Sequence, residues 1–430
     1  MTRMAYQRCL KEMFGLHRFG IKLEMDTIRF MLQGLGNPHQ AFRSIHIAGT
    51  NGKGSIAAML SHIFQATGLR VGRYTSPHLE TFNERICINN KPIKNHEVVS
   101  AYEKVRALAP PKRHPTFFEF TTAMAMYEFA RQNVEWAIIE TGMGGRMDAT
   151  NIIQPEVSII TNISLEHKAY LGRTIGAIAG EKAGIIKQEI PVITGVRQKS
   201  ALRAICEAAC RVNAPVYRMG KDFSVRRQPD RSFSFNGRET TWRKMTIELL
   251  GHHQIQNAGL ALAACETLYL RKRAPIDEAS IRAGLKRTTW PGRLEMALAS
   301  PLVILDGAHN LMAARFLAKY LKTHLGGRRL TLVIGILDDK PYKQMLKDLA
   351  GCCDRIIVTQ PAIERAIPAD ILAREARRTS SKVEVIANVG EAAKYALQTC
   401  RTEDAICVAG SLYVVGEAKT ALKKLGLAQK

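Results

Sequence analysis

Short apolar runs, each closed by glycine, proline or a polar cluster, recur along this chain. Ser44–Ala48 is one; a glycine-rich loop follows it, then a helical pattern from about Ser55 to Thr67. Val71–Tyr74, Trp136–Glu140, Val157–Thr161 and Pro191–Thr194 are further runs of strand length, and helical spacing fills Phe118–Asn133 and Thr174–Ile186 between them. Strands alternating with helices predict an α/β fold with a parallel, doubly wound sheet.

The pattern changes over residues 218–250. Phe223 and Val225 alternate with polar residues, Gln228-Pro-Asp230 marks a turn, and Phe233 and Phe235 alternate with serines up to Asn236-Gly237. That predicts a small antiparallel hairpin. A helix rich in alanine and leucine is expected from about His253 to Arg271. Trp290-Pro291-Gly292 is a boundary signal. After it a second α/β set begins, with strands at Leu302–Leu305, Leu330–Ile334, Arg355–Thr359 and Ala405–Val408 and helices near Leu311–Thr323, Pro341–Leu349 and Ala369–Arg377. The 430 residues exceed the roughly 250–300 that one core usually serves, so two domains are expected, 1–297 and 298–430.

Composition narrows the class. Apolar content is 46% and charged content 23%, both ordinary for a globular protein. There is no apolar run of the roughly 18 residues a membrane span needs, and Met1–Leu10 lacks a signal-peptide core. A cytoplasmic protein without membrane attachment is expected. Its nine scattered cysteines form no CxxC pair, which favours reduced, structural thiols over a zinc site or a disulfide framework. The net charge of +24, from 62 basic and 38 acidic residues, favours anionic partners. A nucleic-acid binder concentrates its charge in a stripe with interleaved aromatics. Here the charge is spread and aromatics are 7%. Small phosphorylated or acidic ligands suit that better, with a merely solvated basic surface as the plainer alternative.

Ser44-Ile-His-Ile-Ala-Gly-Thr-Asn-Gly-Lys-Gly-Ser55 reads as strand, glycine loop and helix. Glycines let backbone N–H groups approach phosphate oxygens, the helix N-terminus adds a favourable dipole, and Lys53 can reach the outer phosphates. The loop is not a literal GxxxxGK[ST]: the spacing from Gly49 to Gly52 is shorter, and Gly54 follows the lysine. Glu140 ends an apolar strand and runs into a second glycine turn, at the sheet edge where α/β sites form; a carboxylate there suits magnesium, a hard cation, with helix capping as the alternative.

The loop resembles the P-loop of the Mur ligase superfamily, and its Lys-Gly-Ser variant resembles the folylpolyglutamate synthase/dihydrofolate synthase family. Further segments carry the likeness along nearly the whole chain: Tyr74–Leu79, Glu140–Asn151, Glu181–Ile185, His252–Asn257, Asp306–Asn310 and Gly410–Gly416. The resemblance implies a P-loop ATPase domain of Mur-ligase type, with a parallel-rich sheet, followed by a smaller Rossmann-like glutamate-ligase domain. It implies ATP binding by Gly49, Thr50, Asn51, Gly52, Lys53, Gly54 and Ser55, joined by Asn257, Arg293 and Asp306, with His309 facing the same cleft. It implies magnesium at Ser76, Glu140 and His167, with a monovalent cation as a further possibility. Lys53, His167 and Lys182 are the implied catalytic residues. Lys182 is then a carbamylated lysine; read alone it is a helix lysine paired with Glu181. Arg293 read alone is a linker ion pair, and Asp306 a turn residue. Glu166 stands where the family has aspartate before the histidine.

Thr116, Phe117 and Phe118, with Met147, Asp148 and Ala149, resemble the family's pterin-binding segments, as does Phe19–Leu23 with Lys22. Phe117 or Phe118 can stack on a flat pterin or pack in the core. Glu24 occupies a place usually held by glycine. The activity so implied is addition of L-glutamate to dihydropteroate, to the γ-carboxylate of a reduced folate, or to both, through an acyl phosphate made with ATP. The expected site is the cleft between the domains, and the expected protein a monomer acting on small molecules without nucleic acid. A Mur ligase acting on another carboxylate, or a P-loop NTPase linked to nucleic acid, are the rival readings.

Overall fold

The computed structural model describes residues 3–16, 20, 24–109 and 113–427. The chain divides into two compact units, Met1–Glu248 with Gln254–Thr289, and Leu249–His253 with Trp290–Lys430.

In the first unit, β1 (Arg43–Ala48), β2 (Val71–Tyr74), β3 (Ile86–Ile88), β4 (Lys91–Pro92), β5 (Trp136–Glu140), β6 (Val157–Ile160), β7 (Val192–Thr194) and β8 (Val216–Arg218) form one sheet. Their order is β4-β3-β2-β5-β1-β6-β7-β8. From β2 to β8 all neighbours are parallel; β3 and β4 run against theirs. Strands buried on both faces need apolar residues on both, which is why the central ones read as unbroken hydrophobic runs. Ten helices of this part of the chain are α1 (Arg3–Gly15), α2 (Asp26–Gly34), α3 (Lys53–Ala66), α4 (Asn95–Arg106), α5 (Phe117–Arg131), α6 (Lys168–Leu171), α7 (Ile175–Lys182), α8 (Lys199–Arg211), α9 (His252–Leu270) and α10 (Glu278–Arg287), counted among the described residues. Helix α3 sets Phe64 on Trp136 of β5, ring centroids 4.9 Å apart. Helix α5 contributes Phe120, Met124 and Phe129 to a core shared with α1, α2 and α4.

The expected hairpin has a third strand. β9 (Ser224–Arg227), β10 (Phe233–Asn236) and β11 (Thr241–Met245) pair antiparallel in the order β11-β10-β9. Trp242 and Met245 are buried with Phe233 and Phe235, so a second aromatic edge completes the face. The β10–β11 turn closes around Glu266 of α9, whose carboxylate accepts from the backbone of Arg238, Glu239 and Thr240 at 2.9–3.0 Å. A buried carboxylate satisfied by three amides is a strong anchor, and it ties this small sheet to α9.

In the second unit, β12 (Glu295–Ala299), β13 (Leu302–Leu305), β14 (Leu330–Ile334), β15 (Arg355–Val358), β16 (Val383–Val385) and β17 (Ala405–Ala409) are ordered β12-β13-β17-β14-β15-β16. Only β12 is antiparallel to its neighbour. Helices α11 (Leu311–His324), α12 (Tyr342–Ala350), α13 (Ala369–Ala376), α14 (Val389–Thr399) and α15 (Leu412–Lys424) accompany it. The unit takes in Trp290 onward, eight residues before the expected 298. The reason is β12: it pairs with β13, and Lys419 of α15 holds its Glu295 at 2.6 Å.

Candidate active site

β1 and β5 are parallel neighbours with Ile47 opposite Glu140, so the loops that leave their C-terminal ends emerge side by side. The first, Gly49–Ser55, enters α3 through Gly52, which caps the helix in the left-handed region at φ 88°. Gly49 has φ 145°, and a Cβ there would stand 1.9 Å from Thr161 Oγ1; no other residue fits. The loop is held from beneath by the end of β6. Thr161 Oγ1 and Asn162 Nδ2 donate to the Asn51 carbonyl at 2.7 and 2.9 Å, the Asn51 N–H donates to Asn162 Oδ1 at 3.0 Å, and the Ser164 N–H donates to Thr50 Oγ1 at 3.0 Å. Gln254 Nε2 donates to Ser55 Oγ at 3.3 Å, and Gln254 Oε1 accepts from Asn257 Nδ2 at 2.9 Å, with Asn257 beside Gly52.

Lys53 Nζ donates to the carbonyls of Gly49 (3.1 Å) and Thr50 (3.4 Å) and lies 3.7 Å from the buried carboxylate of Glu140. The Ser76 N–H donates to the other Glu140 oxygen at 3.3 Å. The structure therefore gathers Lys53, Ser76 and Glu140. A carboxylate and a neighbouring serine are hard oxygen donors, and they fit magnesium, which keeps other positions for phosphate oxygens and water. Among the described residues, no three or more of His, Cys, Asp and Glu cluster as a metal cage. His167 is exposed in the left-handed region (φ 51°) at the start of α6, its Nε2 3.9 Å from Glu166.

Lys182 ends α7, yet its buried ammonium does not pair with Glu181, which bonds Arg146 instead. Lys182 Nζ donates to the Gly49 carbonyl at 2.8 Å, the same oxygen that Lys53 uses. Burial first, then the Lys53 charge, pushes its pKa down to about 7, while Glu166 and Asp148 pull the other way.

The second loop, Gly142–Met147, is closed by Asp148. This buried carboxylate accepts from the N–H groups of Met143 (2.8 Å) and Thr150 (3.0 Å) and from the Thr150 hydroxyl (2.5 Å). Burial pushes its pKa up, and these bonds oppose the rise. Ala149 is buried behind it and Met147 is half-buried. Phe118 rests against the turn: a Cβ on Gly142 would lie 2.5 Å from its ring. Its neighbour Phe117 points elsewhere, 5% exposed, stacked 5.6 Å from Phe14 with the Arg85 guanidinium 5.0 Å over its face. Thr116 caps α5 in a capping box with Glu119, accepting its N–H at 3.2 Å. Lys22 lies outside the described residues.

In the second unit, Asp306 directly follows β13 and accepts from the N–H groups of Leu294 and Ala308, both at 2.9 Å. Burial raises its pKa and the Arg293 charge opposes that. His309 Nδ1 is bonded to the Gly307 carbonyl at 2.8 Å. Asp306 thus secures a turn around Arg293.

Thr161, Asn162 and Gln254 hold the phosphate loop without having been singled out in the sequence. Thr161-Asn162 directly follows a strand, the position from which a side chain can reach the neighbouring strand's loop, and that is the only local signal they carry.

Two family models match the chain: the Mur ligase middle domain over residues 47–265, and the Mur ligase, glutamate ligase domain, over residues 292–412. The dihydrofolate synthase/folylpolyglutamate synthase of Bacillus subtilis is 36% identical over 429 residues, covering 97% of this chain and 99% of that protein. Among solved structures, the Mycobacterium tuberculosis folylpolyglutamate synthase complexed with ADP matches with a TM-score of 0.90 at 33% identity, covering 97% of this chain and 98% of that one. A bifunctional folylpolyglutamate synthase/dihydrofolate synthase from Yersinia pestis, complexed with AMPPNP and Mn ion, matches with a TM-score of 0.88 at 29% identity over the same shares.

Proposed function

The chain belongs to the Mur ligase family, among its dihydrofolate synthase/folylpolyglutamate synthases, and from this premise we propose that it adds L-glutamate to dihydropteroate and to the γ-carboxylate of reduced folates, driven by ATP. It is an acid–amino acid ligase that uses a nucleotide and a divalent metal. The observation that carries the reading is the meeting of Lys53 with Glu140, 3.7 Å apart, where two parallel strands release their glycine turns. A cation, a metal-binding carboxylate and a stiff phosphate loop at one sheet edge are what transfer of a γ-phosphoryl group to a carboxylate needs.

Gly49–Ser55 holds the triphosphate, with Lys53 facing its outer oxygens. Ser76, Glu140 and His167 would hold magnesium, which would supply charge neutralisation of the phosphates. Asn257, Arg293, Asp306 and His309 serve the rest of the nucleotide. Phe118, with the Met147-Asp148-Ala149 corner, receives the pterin; Thr116 and Phe117 support it as a helix cap and as core. The activated acid is an acyl phosphate. The glutamate amine attacks its carbonyl carbon, phosphate leaves, and the amine proton passes to solvent. Lys182 has an amine that is partly neutral near pH 7 because of its burial. A neutral amine is the form that attacks CO2, so carbamylation is the role assigned to it, the new carboxylate then helping to hold metal. The protein acts as a cytosolic monomer with reduced cysteines.

The test uses purified protein with Mg-ATP and L-glutamate, supplied with dihydropteroate or a reduced folate. Phosphate release that requires glutamate, and a product heavier by one glutamyl residue, are expected with each acid. Turnover with neither acid overturns the reading. ATP hydrolysis stimulated by nucleic acid and indifferent to glutamate would point to the rival NTPase.

A further inference from the structure

β1 lies between β5 and β6, and all its residues but Arg43 are buried. Within it, between Ile45 and Ile47, stands His46, with no exposure at all. An imidazole in such a place costs solvation unless it is bonded. Its Nε2 lies 2.8 Å from the Oγ1 of Thr150, also fully buried, and that hydroxyl lies 2.5 Å from Asp148 Oδ1.

The proton inventory fixes the direction of this chain. A hydroxyl has one proton, and an ionised carboxylate can only accept. Thr150 therefore donates to Asp148 and accepts from an Nε2–H of His46. The imidazole is then the neutral tautomer with its lone pair on Nδ1, an atom that has no hydrogen-bond partner. Burial and the charge of Lys187 both keep the ring neutral. A protonated ring would bury a second N–H with nothing to receive it.

At the far end, Asp148 closes the Gly142–Met147 turn by accepting the Met143 N–H, and the Phe118 ring rests on that turn. We infer that His46 is a positioning residue for the acid substrate: acting through the Thr150 hydroxyl, it fixes the Asp148 carboxylate and with it the turn that supports Phe118. This rests on the proposal that Asp148 and Phe118 receive the pterin. His46 never touches the substrate. It keeps the Thr150 proton directed at Asp148 by satisfying the hydroxyl's lone pair from behind. The phosphate loop leaves the same strand two residues later but is held by Thr161 and Asn162, so the nucleotide side should not respond.

The experiment compares Thr150→Val and His46→Leu, which break the chain, with Thr150→Ser and His46→Gln, which keep the hydroxyl and a donor at the same reach. Losing a hydrogen bond to a charged group should raise KM for dihydropteroate about 10-fold, with kcat and KM for ATP changed less than about two-fold. The conservative pair should restore most of the loss. An unchanged acid KM in the folded Val and Leu variants overturns the inference, and so does a parallel rise of the acid and ATP constants, which marks a purely structural role. Nitrogen-15 NMR of wild-type protein gives a second readout independent of turnover: His46 should stay the neutral Nε2–H tautomer across about pH 5–8, the range in which ordinary histidines titrate. An Nδ1–H tautomer, or titration within that range, overturns it. Should the wild type add no glutamate to either acid, the proposed function falls, while the spectrum still decides the hydrogen-bond chain.

Discussion

The two glycine turns that leave β1 and β5 are neighbours at one sheet edge, yet they are stiffened by different means. Gly49–Ser55 is held from outside, through its main chain, by Thr161 and Asn162 at the end of β6. Gly142–Met147 is held from inside, by its own Asp148. On the proposed assignment, the first arrangement presents backbone to a triphosphate, and the second presents side chains to the flat pterin of the acid. Rigidity that comes from the main chain tolerates little substitution; rigidity that comes from a carboxylate can be tuned.

This contrast can be broken by four measurements. Lys53→Ala should abolish turnover: removing one preorganised donor of this kind costs on the order of 10²–10³ in kcat, and the loss of its charge beside Glu140 adds to that. Retained activity would refute the role of the phosphate loop. Gly142→Ala pushes a methyl into the Phe118 ring; overpacking of about 1–3 kcal/mol should appear in the acid KM alone, and an equal rise in the ATP KM would erase the distinction between the turns.

Lys182 belongs to the first turn through Gly49, and it makes stability depend on pH. Its pKa is lowered from 10.5 unfolded to about 7 folded. Between those values the unfolded chain holds a proton that the folded chain lacks, so stability rises with pH, by at most about 1.4 kcal/mol per unit. Below about 7 both states are protonated and the full cost of burying the ammonium remains. In bicarbonate-free buffer, denaturant midpoints from about pH 6 to 9 should climb relative to Lys182→Met; parallel curves would show that the lysine is not buried as a titrating amine. The smallest effect is Thr116→Ala, expected to cost about 1 kcal/mol through the lost cap on α5. Thermal melts decide this, and an unmoved midpoint with a raised acid KM would transfer Thr116 from helix cap to substrate contact.

The strands with the fewest polar interruptions were the most legible. Val71–Tyr74, Trp136–Glu140, Leu302–Leu305 and Leu330–Ile334 are strands at the residues expected, because a strand buried on both faces has no choice of composition. β3, β4, β8, β12 and β16 were not anticipated. They are two to five residues long, partly exposed or carrying proline, and their pairing is decided by neighbours distant in the chain. The T-x-x-E pattern at Thr116–Glu119 was present in the sequence as a capping box, and it went unread because the same residues resembled a pterin-binding segment. Phe117 and Phe118 are indistinguishable by type; only the helix geometry turns one to the core and the other to the turn. His46 lies 104 residues before Thr150 in the chain, so no local pattern could have joined it to Thr150 and Asp148. A histidine between two isoleucines was their single trace.

The edges of the eight-stranded sheet have a consequence for the protein in concentrated solution. A parallel sheet with long, flat edges invites a strand from a second molecule. Here one edge is β4, two residues long and ending in Pro92, and the other is β8, three residues ending in Arg218. Proline offers no N–H to an incoming ladder, and a short strand flanked by positive charge repels its own copy. Sheet-to-sheet templating, the first step toward fibrillar deposits, is therefore blunted at both ends by the shortness of the edge strands.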